Sequence, residues 1–267
     1  MKSVSGSLIL LAAVLSGPAA VRAHFNVLLP ARYEQWRASR GQEVPLRLLW
    51  GHGYEHAWLD ARRPAELVAI SPTGKVTNLI DAIKPATVRS ADGKERSAFG
   101  FTYRPAERGD HILAMRAALL WDEEEEVFLQ DYAKSVLHVQ DKVGWDRRVG
   151  HPLELVPLNR PYGLLPGQIV RMLVLRDGKP LPGCAVEIEK LSATPPAESE
   201  LPGEEFITFE AVSDSVGVVV FGMHDEGWFA LTATHPTDRQ VEHDGHKGRL
   251  VERATFWIHV VGASGAK

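Results

Sequence analysis

Ile169-Val-Arg-Met-Leu-Val-Leu175, Asp177-Gly-Lys-Pro-Leu-Pro-Gly183 and Ala185-Val-Glu-Ile-Glu-Lys-Leu191 follow one another almost without a gap. The outer segments are aliphatic and β-branched and place polar residues between apolar ones, as half-buried strands do. Between them, two glycines and two prolines supply the positive and the fixed φ values of a tight turn. A strand, a turn and a returning strand form the unit from which antiparallel sandwiches are assembled. The same punctuation recurs upstream in Phe25–Leu29, Val44–Trp50, Glu66–Ile70, Ala98–Tyr103 and His111–Arg116, with Ser71-Pro-Thr-Gly74 as a turn. It recurs downstream in Phe206–Val212, Val216–Phe221, Trp228–His235 and Arg253–Val261. Val127–Val139 alternates imperfectly and reads as one long strand, two strands or a short helix. Long helical periodicity is absent. The expected fold is all-β, with two β-sandwich-like domains of the immunoglobulin or prealbumin kind.

The register changes near Gly144–Pro152, just before a proline-punctuated strand at Leu153–Leu158. The domain boundary is therefore expected near residue 150, giving an N-terminal domain over 24–150 and a C-terminal one over 151–267. Ser192–Glu205 holds three prolines and four glutamates and reads as an exposed loop. The acidic run Asp122-Glu-Glu-Glu-Glu126 lacks the alternating ligands and glycine turn of a hard-cation loop and reads as solvated.

Residues 1–23 read as a secretory signal: Lys2, the apolar stretch Leu8 to Leu15, the breaker pair Gly17-Pro18 and the small-residue site Val21-Arg22-Ala23. The apolar stretch is too short to span a bilayer, and no longer one follows, so no membrane span is expected in the mature chain. Cleavage after Ala23 makes His24 the mature amino terminus. Its α-amine and imidazole then close a chelate ring on a divalent ion, with little proton competition near neutral pH. If cleavage falls elsewhere, after Ala20 for example, His24 is an ordinary strand-edge residue. The chain carries 30 basic and 34 acidic residues, and losing Lys2 and Arg22 makes it more acidic still. No basic stripe suited to nucleic acid is present. The single Cys184 excludes an intramolecular disulfide and sits in a strand pattern that suits a buried small hydrophobe.

The eleven histidines are a surplus that, in an exported and cysteine-poor chain, points to nickel, copper or zinc. Trp50-Gly-His52-Gly-Tyr-Glu-His56 is the sharpest cluster. On a strand its two histidines stand about 13 Å apart, but in the turn that Gly51 and Gly53 favour they come within about 6 Å, with Glu55 beside them. Glu242-His243-Asp244-Gly245-His246 reads as a polar loop or as a source of one or two ligands, and His235 ends a strand. No nucleophile elbow, zincin helix, phosphate loop or dinucleotide fingerprint occurs, so a binding protein is expected rather than an enzyme.

His24-Phe-Asn-Val-Leu-Leu-Pro30 followed by Trp50-Gly-His-Gly-Tyr-Glu-His56 resembles the periplasmic cobalt/nickel-uptake component family. That family includes nickel-binding accessory proteins of energy-coupling-factor-type nickel transporters. Val143-Gly-Trp-Asp146, Pro157-Leu-Asn-Arg-Pro-Tyr-Gly163, Asp177–Gly183 and His243-Asp-Gly245 extend the resemblance over nearly the whole mature chain. It implies that His24 and His52 are metal ligands and His56 and His243 further ones, with His246 and His235 behind them. It also implies Ni²⁺ as the ion, with Co²⁺ or Cu²⁺ as substitutes, a periplasmic location and a membrane transporter component as partner. The family's Gly-His-Pro-Phe-Glu is Gly-His-Gly-Tyr-Glu here, which leaves the loop softer. Two other readings stand beside it: a copper-binding histidine-brace oxidase, and a non-metal periplasmic adhesion or assembly module.

Overall fold

The structure is a computed structural model that describes residues 24–262. The expected leader and its cleavage point lie outside the described residues. The described chain is built from strands and three short 3₁₀ turns, in three sheets. Among the described residues, no helix is long and apolar enough to cross a membrane.

Val127–Val139 settles the architecture. It is one strand of 13 residues, buried along its whole length. Its first part pairs parallel with His246–Val260, and its last part pairs antiparallel with Gly109–Arg116. It thus joins strands from both halves of the chain into one nine-stranded sheet. The boundary expected near residue 150 falls in the connection to Leu153–Pro157, while the large sheet continues across it.

Alternation along this strand then sets the layers. Ala133 and Leu137 face one way, onto Leu28, Leu46 and Leu48 of a five-stranded sheet. Tyr132 and Val136 face the other way, onto Leu155, Met172 and Val174 of a four-stranded sheet. The two smaller sheets therefore cover opposite faces of the large one. A strand covered on both faces has no solvent side, and its charged residues are each paired. Asp131 accepts two hydrogen bonds from Arg253, Nε at 2.7 Å and Nη2 at 2.6 Å. Lys134 meets Glu154 at 2.6 Å, and His138 meets Asp110 at 2.7 Å.

Phe25–Pro30, in the five-stranded sheet, packs on the large one, with Leu28 in one core cluster and Phe25, Val27 and Leu29 against Trp228, Ala230 and Trp257 in another. Trp257 donates to the Asn26 carbonyl at 2.8 Å, and the Asn26 amide donates to Asp131 at 2.7 Å. These bonds fix the residue after Phe25, and so the place where His24 begins.

The last two strands run further than their apolar alternation suggests. Gly227–His243 and His246–Val260 form one long hairpin closed by Asp244-Gly245. From Pro236 the first strand is mostly polar and exposed, and the second is exposed at Lys247 and Arg249, which hides these ends from a hydrophobic reading. Cys184 is buried, as its strand pattern suggests.

Candidate functional site

The strand Val44–His52 pairs antiparallel with Phe25–Pro30, with Phe25 opposite Gly51 and Asn26 opposite Trp50. Extending that register by one residue sets His24 across from His52. Their rings lie 4.8 Å apart between centroids, and the His24 ring lies 5.2 Å from Trp50. A four-residue turn then carries the chain back to Ala57–Leu59, with His52 opposite Ala57. Gly51 makes this tight hairpin possible: at φ +139° a Cβ would stand 2.4 Å from the Ala57 carbonyl oxygen.

The turn lies against the strand Ala185–Leu191, next to the edge strand Thr208–Val212 of the large sheet. There Glu189, only 3% exposed, meets His52 with Oε2 3.8 Å from Nδ1. Glu189 Oε1 accepts the Tyr54 amide at 3.0 Å, and Oε2 accepts the Thr208 hydroxyl at 3.3 Å. Glu55 completes the group. One ligand atom from each of His52, Glu55 and Glu189 lies within 4.8 Å of the others. Donors around an ion at about 2.1 Å stand roughly 3–3.4 Å apart, so small side-chain rotations would close the set.

Its electrostatics favour a cation. Glu55, Glu187, Glu189, Glu204, Glu205 and Glu210 line one cleft of about 750 Å³ beside His52. Glu187 faces Glu210 across the strand pair Ala185–Leu191 and Thr208–Val212. Burial, and then the Glu210 charge, push the Glu187 carboxyl up to about 7. Burial also raises Glu55, whose Oε2 is buried without a hydrogen-bond partner. Burial, and then His52, pull the His24 imidazole down to about 4. At neutral pH His24 is therefore an uncharged ring with a lone pair to offer.

The structure thus brings together His24, His52 and Glu55. It adds Glu189, which the sequence reading passed over. It does not bring His56 or His243 to them. His56 closes the turn at φ +56° and turns its Nε2 to the Ser192 carbonyl at 2.8 Å. His243 packs edge-on against Phe128, on the face of Val127–Val139 opposite to Asp131 and the cleft side. His246 stacks on Trp121, and His235 pairs across the hairpin with Glu252. Each is separated from the cleft by the sheet itself. The missed signal was the pair Glu187 and Glu189, acidic residues on one strand face that the His52 turn covers.

Solved structures resemble the chain only in broad β architecture. Escherichia coli alpha-2-macroglobulin activated by porcine elastase shares 17% identity over 90% of this chain and 20% of that one, with a TM-score of 0.26. Latent dimeric PorU from Porphyromonas gingivalis shares 10% identity over 88% of this chain and 20% of that one, at 0.23. A DUF4785 family protein from Legionella pneumophila shares 8% identity over 75% of this chain and 50% of that one, at 0.28. The chain spans a fifth to a half of the length of these structures, and such scores carry no functional argument. No curated protein matches the sequence. Residues 21–237, most of the chain, match the domain of unknown function DUF4198, and the protein belongs to that family.

Proposed function

We propose that this protein binds a divalent transition-metal ion, nickel or cobalt, in the periplasm and supplies it to a membrane transporter. One observation carries the reading: His52, Glu55 and Glu189 converge within 4.8 Å, with the His24 ring tilted against that of His52 at 4.8 Å between centroids. The donor set mixes imidazole and carboxylate, whereas the four ligands His24, His52, His56 and His243 expected from the sequence are all histidines. Such a set suits borderline divalent ions and is a poor match for Cu⁺, which prefers sulfur. Copper(II) still outranks nickel in intrinsic affinity, so selection would rest on geometry and supply.

His24 is already neutral, and Glu189 is already oriented by Tyr54 and Thr208. Binding therefore releases few protons and orders few side chains, while the surrounding glutamates raise the local cation concentration. Export with cleavage after Ala23 would add the His24 α-amine as a further ligand. The experiment is isothermal titration of the exported protein with Ni²⁺, with its amino terminus fixed by intact mass. One residue added before His24 is expected to weaken binding at least ~100-fold, and His52→Ala to weaken it further. Unchanged affinity in both variants would refute the site. Failure to bind any of Ni²⁺, Co²⁺, Cu²⁺ and Zn²⁺ would leave the adhesion or assembly reading in its place.

A further inference from the structure

Thr208–Val212 is the outermost strand of the large sheet and is paired on one side only, with Ala185–Leu191. Alternate residues of a strand direct their N–H and C=O groups to opposite sides, so about half of the backbone groups of this strand have no ladder to join. Folded proteins guard such a row with lysine, proline, a bulge or a covering loop. The edge strand Lys84–Arg89 of the five-stranded sheet is guarded in that way, by Lys84, Pro85 and Arg89. Thr208–Val212 has no lysine, arginine or proline, and its register with Ala185–Leu191 runs without a shift. Phe209, Glu210 and Val212 on it are exposed.

The two faces of this strand differ. Glu210 lies opposite Glu187, and Thr208 opposite Glu189, and all four line the cleft. Phe209 lies opposite Ile188, and Ala211 opposite Val186, both of the core. Phe206, Phe209, Val212 and Val216 are 63, 40, 64 and 59% exposed, four of the ten large apolar side chains left exposed among the described residues. Apolar surface is thus concentrated at this edge, where a monomer gains nothing by showing it. The charge of the stretch has one sign: Glu204, Glu205 and Glu210 line the cleft, and no lysine or arginine occurs from Leu191 to Asp238. A strand added here meets carboxylates on one face and apolar side chains on the other, with a period of two.

We propose that Thr208–Val212 is a docking edge for an extended basic segment of a partner protein, which adds a strand to the large sheet beside the cleft. The segment that fits carries lysine or arginine at alternate positions and aliphatic residues between them. Backbone hydrogen bonds hold such a strand, and its alternate side chains select it. A second copy of this chain fits less well, because its matching edge brings Glu210 and its acidic neighbours to the same carboxylates. The proposal does not require the cleft to bind metal, and its test uses metal-free protein.

The test is fluorescence anisotropy of a labelled seven-residue peptide of alternating lysine and valine, at low and at high salt. The peptide should bind, more weakly at high salt. It should bind at least ~10-fold more tightly than a peptide of equal charge in which proline replaces each valine, since proline cannot donate to a ladder. Hydrogen exchange should slow at the amides of residues 208–212 when the valine peptide is bound. Glu210→Lys and Val212→Lys, both at exposed positions and both with an unchanged circular dichroism spectrum, should each weaken binding at least ~10-fold. Equal binding of the two peptides would reduce the edge to a non-specific acidic surface and overturn the proposal, and so would unchanged affinity in both variants. A dimer in sedimentation equilibrium that Val212→Lys dissolves, without binding of the valine peptide, would assign the edge to a second copy and overturn it too.

Discussion

Replacing Glu189 with glutamine separates metal binding from folding. The amide has the shape of the carboxyl and keeps an oxygen for the Tyr54 N–H, which now bonds Oε1 at 3.0 Å. It removes a negative charge 3.8 Å from His52 and relieves its neighbour Glu187, whose carboxyl Glu189 helps to push up. Stability without metal should therefore change by no more than about 1 kcal/mol. Metal binding should change far more, because a ligand that is 3% exposed loses its charge; a ~100-fold loss is expected. At a nickel concentration 100 times the native Kd, linkage stabilises the native protein by about 2.7 kcal/mol and the variant by about 0.4 kcal/mol. For a chain of this size those energies correspond to melting shifts of roughly 5–11 °C and 1–2 °C. Differential scanning calorimetry of both proteins, with and without nickel, measures all four states. A Glu189→Gln protein that keeps the full nickel-induced shift would refute the reasoning, and so would one whose metal-free melting point collapses.

Three other outcomes follow from the same contacts. Asp131→Asn leaves Arg253, 1% exposed, as a buried guanidinium without its counter-charge, and should cost about 3–5 kcal/mol in a urea titration; a cost below about 1 kcal/mol would show that the pair is not what joins the halves. Gly51→Ala drives a Cβ into the Ala57 carbonyl at 2.4 Å and should cost at least about 2 kcal/mol while weakening nickel binding, because the His52 turn must open. Acid should weaken the fold between pH 6.5 and 4, because burial pulls His24, His151 and His259 down to about 4 in the folded state, so each gives stability above its unfolded value that is lost as pH falls through the folded one. Glu187 works in the opposite direction: its folded value of about 7 lies above the unfolded one, so its contribution is lost as pH rises from about 4.5 to 7, and Glu187→Gln should stabilise the protein at pH 7.5 and not at pH 4. A stability profile flat from pH 4 to 6.5 would contradict the histidine assignment.

The strand content was legible because most strands here alternate apolar and polar residues, as Ala185–Ile188 does before Glu189 is buried. Val127–Val139 was not legible. Its Asp131, Lys134 and His138 look like solvent-facing residues until Arg253, Glu154 and Asp110 are brought to them from elsewhere in the chain. The continuity of the large sheet through the expected boundary was hidden for the same reason, since it depends on the parallel pairing of that strand with one more than a hundred residues away. In the candidate site, His24 and His52 were each visible by type, but their meeting depends on the register of Phe25 opposite Gly51. His56 was chosen for its spacing from His52, and the turn that brings it near also rotates its ring toward Ser192. Glu189 carried no local signal beyond an acidic residue two positions from Glu187. Only the packing of the His52 turn over that strand brings it to His52 and Glu55, and separations in sequence do not report which elements pack.

The central claim is that one ion sits among His24, His52, Glu55 and Glu189. Anomalous diffraction at the nickel edge, from crystals of the exported protein holding one equivalent of Ni²⁺, locates that ion directly. The account predicts a peak about 2.0–2.2 Å from His52, Glu55 and Glu189 donors, with a His24 nitrogen also bound. A peak found only elsewhere on the molecule, or none at one equivalent, would contradict it.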